Sequence, residues 1–365
     1  MSEDYQLSFP AIRGIQAGRE YYVAMCPIHV AVDIIKLSED GDDIPPELKA
    51  QRTLNKARVP AITDYIINNP KAYAFSSLTV SIDSSVEFHA SSEEGIGRKL
   101  GTLKVPFGVT YLINDGQHRR AALEQAIKEK PELRNETISL VLYIDQGLQR
   151  SQQLFADLNR YVVRPTPSIS ILYDHRDPMS RLMLEVIEKV EVFTELTEKA
   201  KTTISNRSRK LFTLSILYQS TCDLLRKKKK QTVTAADKAN AIKFWNEVSM
   251  NINDWQLAAR REVATSELRK ETIHAHGIAL RAIGRVGAAL LALPEKDWKK
   301  KLKSLRNVNW SRFNSNVWEG RATNASGRIS KSHTNIILTT NYLKQTVGLP
   351  LGPDEEKIEN DFIKQ

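Results

Sequence analysis

Apolar and polar positions alternate or cluster with two different periods along the chain, and the change falls near residue 167. Residues 19–36 are rich in β-branched and aromatic side chains, which predicts one strand, or two broken at Pro27. Residues 47–68 follow a helical pattern interrupted at Pro60; a second helix starts there with Ile62, Tyr65 and Ile66 on its apolar face and ends at Asn68-Asn69-Pro70. Residues 74–81 and 86–90 read as a strand pair, and Leu100–Pro106 as a further short strand. A β-rich run at 109–113 breaks at Asn114-Asp115-Gly116 and becomes a helix at 117–129. In that helix Ala121, Ala122, Leu123 and Ile127 form the apolar face, and Glu124 and Lys128 an i,i+4 pair. Thr137–Ile144 is a continuous apolar strand, suited to a sheet interior. Residues 148–159 form an amphipathic helix with Leu154, Phe155 and Leu158 inward.

Beyond residue 168 the period is helical, over 177–190, 208–226, 234–250, 254–272, 275–292, 295–305 and 333–347. All five tryptophans lie in this half. Residues 306–332 read as an irregular segment and 353–365 as a frayed tail. The pattern predicts an α+β protein: a mixed α/β domain over 1–167 and a mainly α-helical domain over 168–365.

Composition narrows the partners. The 365 residues are 41% hydrophobic and 26% charged, values of a globular chain rather than a disordered one. No apolar run approaches membrane-spanning length, and residues 1–9 lack a basic-then-apolar leader, so a cytoplasmic protein is expected. Cys26 and Cys222 form no disulfide framework and no metal-ligand spacing, so no metal site is expected. The net charge of +10 is uneven: residues 38–48 are acidic, whereas 201–230 hold nine basic residues against one acid, Asp223. A basic excess of this kind points to nucleic acid.

Asp115, Gly116, Gln117, His118, Arg119 and Arg120 crowd a strand-to-helix junction. The first turn of a helix offers free N–H groups and a positive dipole end, where phosphate binds readily. Two arginines there oppose the dipole, so they invite a functional reading. Asp115 can orient a metal ion, a ribose hydroxyl or an arginine; Arg119 can grip a phosphate through two N–H groups. Equally, Asp115 can serve only as a cap and the arginines can be solvated.

The run Asp115-Gly116-Gln117-His118-Arg119 resembles the signature of DGQHR-domain proteins, and the surrounding domain is similar to the ParB/sulfiredoxin superfamily. Within the DGQHR proteins the chain resembles the DndB family. Arg58-x-x-x-Ile62-x-x-Tyr65, Leu154-Phe155-x-x-Leu158-Asn159, Trp298, Trp310-x-Arg312 and Trp318-Glu319-Gly320-Arg321 extend that resemblance over nearly the whole chain. It implies a regulator, a repressor of a DNA phosphorothioate-modification operon, and a phosphate or nucleotide site at the turn. The sulfiredoxin relatives carry a cysteine where this chain has Gln117, so their redox chemistry is not expected. The resemblance also places Asn159, Arg160 and Arg164 beside the turn as phosphate contacts; Asn159 can equally be a helix C-cap.

Candidate DNA contacts are Lys201, Arg207, Arg209 and Lys210 before a helix, the run Lys227, Lys228, Lys229 and Lys230, and Arg328 with Lys331. A charge run can also be a plain solvated face. The expected partner is double-stranded DNA at the chain's own operator, bound by a homo-oligomer, with other DNA-modification proteins as further partners. The competing expectation is an enzyme, hydrolysing ATP or nicking DNA at the Asp115–Arg119 turn, with ATP or another nucleotide and Mg²⁺ held by Asp115; His118 would then move a proton. A third is an adaptor without chemistry.

Overall fold

A two-residue turn at Ala17-Gly18 starts the fold. Both residues have positive φ, 49° and 72°, the geometry that matches the twist of a hairpin. It joins β1 (Gln6–Gln16) to β2 (Arg19–Pro27). Phe9 and Ala11 face Tyr22, Ala24 and Cys26 on one buried side. The computed structural model describes residues 6–36, 54–146, 150–160, 165–330 and 332–364; the acidic stretch at 38–48 and the expected helix start at 47–53 lie outside them. Two compact units result, Met1–Val163 and Arg164–Gln365.

The expected strand over 19–36 stops at Pro27. Helix α1 (Ile28–Ile34) follows, then the short β3 (Ile35–Lys36). Ile28, Ala31 and Val32 are buried at helical spacing, so packing overrides the β preference of a branched run. Helix α2 (Val59–Ile67) has Pro60 in its first turn as expected. Then come β4 (Leu78–Ile82), β5 (Glu87–Ala90), β6 (Leu100–Pro106), β7 (Tyr111–Asp115), α3 (Gln117–Glu129), β8 (Thr137–Ile144) and α4 (Ser151–Arg160).

Eight strands form one mixed sheet in the order β3-β7-β4-β8-β2-β1-β6-β5. β4 and β5 were expected to pair with each other. Instead β4 lies between β7 and β8, and β5 pairs β6 at the sheet edge. Leu78, Val80, Ile82, Ile113, Leu140 and Leu142 are each at most 1% exposed and pack under α1, α2 and α3. Each such side chain contributes about 2 kcal/mol by leaving water. Helix α4 packs on β7. Leu158, expected inside that helix's apolar face, is 37% exposed.

The second unit is helical: α5 (Pro167–Tyr173), α6 (Pro178–Lys189), α7 (Glu191–Leu196), α8 (Leu214–Leu225), α9 (Ala235–Asn251), α10 (Asn253–Ala259), α11 (Thr265–Glu271), α12 (Gly277–Leu290), α13 (Glu295–Leu302), α14 (Ser315–Trp318), α15 (His333–Thr346) and α16 (Pro353–Ile363). Trp245, Trp255 and Trp318 are fully buried at its centre with Phe193, Phe212 and Phe244. α8 and α12 approach so closely that a Cβ at Gly284 would lie 2.3 Å from the Ser220 carbonyl oxygen. The expected helix 208–226 begins only at Leu214, capped by Thr213; Phe212–Thr213 (β10) instead pair in parallel with Thr197–Glu198 (β9). The expected helix 254–272 is two, divided near Arg261, whose φ of 68° no α-helix interior accepts.

The tail is not frayed. α16 buries Glu359 to 4% exposure, and Arg321 Nη1 donates to its carboxylate at 3.0 Å. Asn341 donates to the same carboxylate at 3.1 Å, so Glu359 ties α15 and the 321 turn to α16. Breaking a buried pair leaves a charge without compensation and costs about 3 kcal/mol or more. Arg321→Ala is therefore expected to lower the urea unfolding midpoint of the chain by a shift equivalent to about 3 kcal/mol; a change below about 0.5 kcal/mol would contradict this role.

Candidate nucleic-acid interface

The motif turn begins on the last residue of β7, because the strand runs two residues further than its apolar stretch. Asp115 is paired with Thr79 across a register shift in β4. Gly116 then takes φ +105°, a conformation that favours glycine. A Cβ there would lie 2.6 Å from Leu78 Cδ2 and 3.0 Å from Arg119 Nη2. No side chain caps α3.

The side chains of the turn divide sharply. Arg119 Nη2 donates to Asp115 Oδ2 at 2.6 Å, and its Nη1 to the Ser76 carbonyl at 3.4 Å. Of the roles expected for Asp115, orienting an arginine is the one this geometry realises. Arg120 turns the other way and is 7% exposed. Its Nε donates to the Ile35 carbonyl at 2.9 Å, its Nη2 to the Val32 carbonyl at 2.6 Å, and its Nη1 to Glu124. Arg120, expected as a phosphate contact, here ties α3 to α1 and β3. His118 Nε2 accepts from the Asn55 N–H at 3.2 Å, so Nδ1 carries the ring proton of the neutral form. Burial and then the nearby Arg58 charge hold His118 below its ordinary value, against a smaller upward pull from Asp115. Gln117 is half-buried. Arg58 and Asn55 are neighbours of the turn that its spacing could not reveal. Asn159 and Arg160 close helix α4, and Arg164 lies outside the described residues.

The basic segment of the second unit is organised by one residue that sequence reasoning passed over. Arg269, on α11, donates to the carbonyls of Ser205, Asn206, Ser208 and Lys210. Thr265 adds a bond to Ser208 O at 3.0 Å. Charged donors to carbonyls contribute more than neutral ones, so the 205–210 segment is pinned. Arg207 and Arg209 stay exposed on it, and no described residue pairs with either. Lys201 is also exposed. Lys210 differs, because its Nζ donates to the Glu195 carbonyl at 2.7 Å.

A second loop hangs from the same helix. Arg312 N–H donates to the Glu271 carbonyl at 2.7 Å, and Arg312 Nε to the Gly327 carbonyl at 2.7 Å. That holds the 324–328 turn, where Arg328 is exposed. Arg207, Arg209 and Arg328 are therefore displayed on two loops anchored to α11. Lys331 lies outside the described residues. The lysine run is half committed: Lys227 pairs with Asp237 at 3.1 Å and Lys229 with Asp174 at 2.8 Å, while Lys228 and Lys230 are exposed.

Other titratable clusters serve the fold. Asp177 caps α6 through Ser180 N at 3.1 Å and also accepts from Tyr218 and the Lys230 N–H. His274 is fully buried between Asp254 and Trp255, at 2.8 and 3.1 Å. Burial pushes the thiols of Cys26 and Cys222 up to about 12, so neither is a ready nucleophile near neutral pH.

A family model, DndB, described as DNA-sulfur modification-associated, matches residues 9–350. No curated protein and no solved structure matches the chain.

Two outcomes are expected at the turn. Gly116→Ala meets both an unfavourable φ and a 2.6 Å contact, and is expected to cost more than about 1 kcal/mol in urea unfolding; no measurable loss would contradict the geometry. His118 is held below its ordinary value of 6.5 in the fold. The unfolded chain therefore binds more protons below that pH, and the stabilisation from the neutral ring is present above it and lost as pH falls. The stability advantage of the parent chain over His118→Gln should shrink between about pH 7.5 and about pH 5.5; a constant gap would show that the ring is not held neutral.

Proposed function

The chain belongs to the DndB family, associated with DNA sulfur modification, and from that premise we propose that it is a DNA-binding transcriptional regulator, a repressor of its own DNA phosphorothioate-modification operon. The observation that carries this reading is the pair Arg207 and Arg209, exposed on a segment whose carbonyls Arg269 holds. Exposed guanidinium groups on a pinned main chain can reach DNA phosphates with little entropy left to lose on binding. Arg328, on the second loop anchored to α11, extends the cationic surface. Such contacts supply affinity and orientation; choice of sequence then needs base-edge contacts, for which Asn206 and the amide nitrogen of Asn324 are exposed on the same two loops. A symmetric dimer on a palindromic operator is the arrangement this reading expects.

An ATP-hydrolysing or nicking use of the motif turn would have only the carboxylate oxygen of Asp115 that Arg119 does not hold, since Oδ2 lies 2.6 Å from Arg119. The turn's ion pair and the inward Arg120 support a structural role for the motif beside the DNA-contacting role of the helical unit.

Each phosphate contact adds roughly 0.9 to the slope of log affinity against log salt. The double variant Arg207→Ala/Arg209→Ala is expected to reduce that slope by about 2 in gel shifts on the DNA upstream of the chain's gene, and to weaken binding at low salt. Its unfolding midpoint should stay within about 0.5 kcal/mol of the parent, because both side chains are exposed. Unchanged affinity and slope would rule out this segment as the DNA contact.

A further inference from the structure

The helical unit holds a cavity of about 510 Å³, within the roughly 300–1,000 Å³ range of small-molecule sites. Phe212, Ile216, Ile278 and Ile336 give it an apolar floor. Thr203, Thr213, Gln219, Arg269 and Arg281 give it polar walls, and none of its lining residues is acidic.

The charge balance around it is uneven. Arg281 donates from Nε and Nη2 to Asp223 at 2.7 and 3.2 Å. The same carboxylate faces Arg285 Nε at 3.8 Å. One acid is thus shared by two guanidinium groups, which leaves one positive charge over. Arg269 has only carbonyl partners among the described residues, and burial alone displaces it downward from its ordinary value, with no acid pulling it back. Arg269 in the wall and the Asp223–Arg281–Arg285 cluster, of which Arg281 reaches the cavity, together carry about two positive charges beyond their acid, in partly desolvated surroundings where charge acts more strongly than in water. The uncapped start of α12 adds a smaller contribution of the same sign. A monocarboxylate would neutralise only one charge, and inorganic phosphate would leave the apolar floor wet.

We propose that this cavity binds a phosphate monoester of mononucleotide size, with the dianion toward Arg281 and Gln219 and the organic body on the apolar floor. The segment that forms one wall continues into the exposed arginines assigned above to DNA. Resting on that reading, occupancy of the cavity alters the grip on DNA.

The binding claim is tested on the full chain without DNA, so its failure is separate from failure of the regulator reading. Calorimetric titration with AMP, GMP, CMP and UMP in turn is compared with adenosine and with inorganic phosphate. At least one nucleotide is expected to bind at one site per chain, with its nucleoside and inorganic phosphate each weaker by about tenfold or more, equivalent to about 1.4 kcal/mol. Gln219 is exposed on α8, so Gln219→Glu places an acid in the cavity without disturbing the core. It should weaken the nucleotide by about tenfold with an unchanged melting temperature, whereas His118→Ala should leave binding intact. Competition by a 5′-phosphorylated duplex, but not by its unphosphorylated twin, assigns the ester to a DNA end; no competition assigns it to a free small molecule. Absence of binding by all four nucleotides, equal binding of the nucleoside, or indifference to Gln219→Glu would overturn the proposal.

Discussion

The candidate DNA surface depends on one guanidinium. Without Arg269, the carbonyls of Ser205, Asn206, Ser208 and Lys210 would lose the charged donor they share. That segment has only the two-residue strand Phe212–Thr213 after it and no regular structure of its own. The bonds to Ser208 and Lys210 are partly shielded from water and those to Ser205 and Asn206 are exposed, so loss of the donor would cost most at Ser208 and Lys210. With that donor in place Arg207 and Arg209 are displayed, and the neighbouring residues form a cavity wall. Arg312 repeats the device for the 324–328 turn.

The first unit uses the same chemistry at its motif. Arg119 and Arg120 are adjacent in sequence, yet they face opposite ways because successive helical positions are about 100° apart. Arg120 ties α3 to the carbonyls of Val32 and Ile35, and Arg119 closes back on Asp115. Two arginines in a helix's first turn oppose its dipole; here each has an oxygen partner that offsets the cost. The conflict with local preference that made the stretch conspicuous is thereby accounted for by packing. A cation at this turn would have to share Asp115 with Arg119.

Much of this was legible in the chain and some was not, for identifiable reasons. The α3 helix at 117–129, the Leu100–Pro106 strand and the Thr137–Ile144 strand follow from periodicity and proline, because each is bounded by a strong local signal. β1 was invisible because Pro10 argues against a strand; it is tolerated where β1 pairs β6 but the ladder to β2 has not begun, at Ala11. The branched run of α1 carries no sign of the face it will bury, so its local pattern points to a strand. The α16 tail looked solvated because its anchor, Arg321, lies 38 positions before Glu359. The candidate surface shows the same limit: Arg207 and Arg209 stand out by charge, whereas Arg269 is 59–64 positions from the carbonyls it holds. Long-range hydrogen bonds of that kind leave no periodic trace.

The central claim is that a chain of this sulfur-modification family recognises its own operator through the helical unit. Its most direct test is the ratio of affinities for the DNA upstream of the chain's gene and for a scrambled duplex of the same composition, measured at near-physiological salt. A sequence-reading regulator is predicted to prefer the upstream DNA by roughly a thousandfold or more. Equal affinity for the two, whatever its strength, would contradict the account.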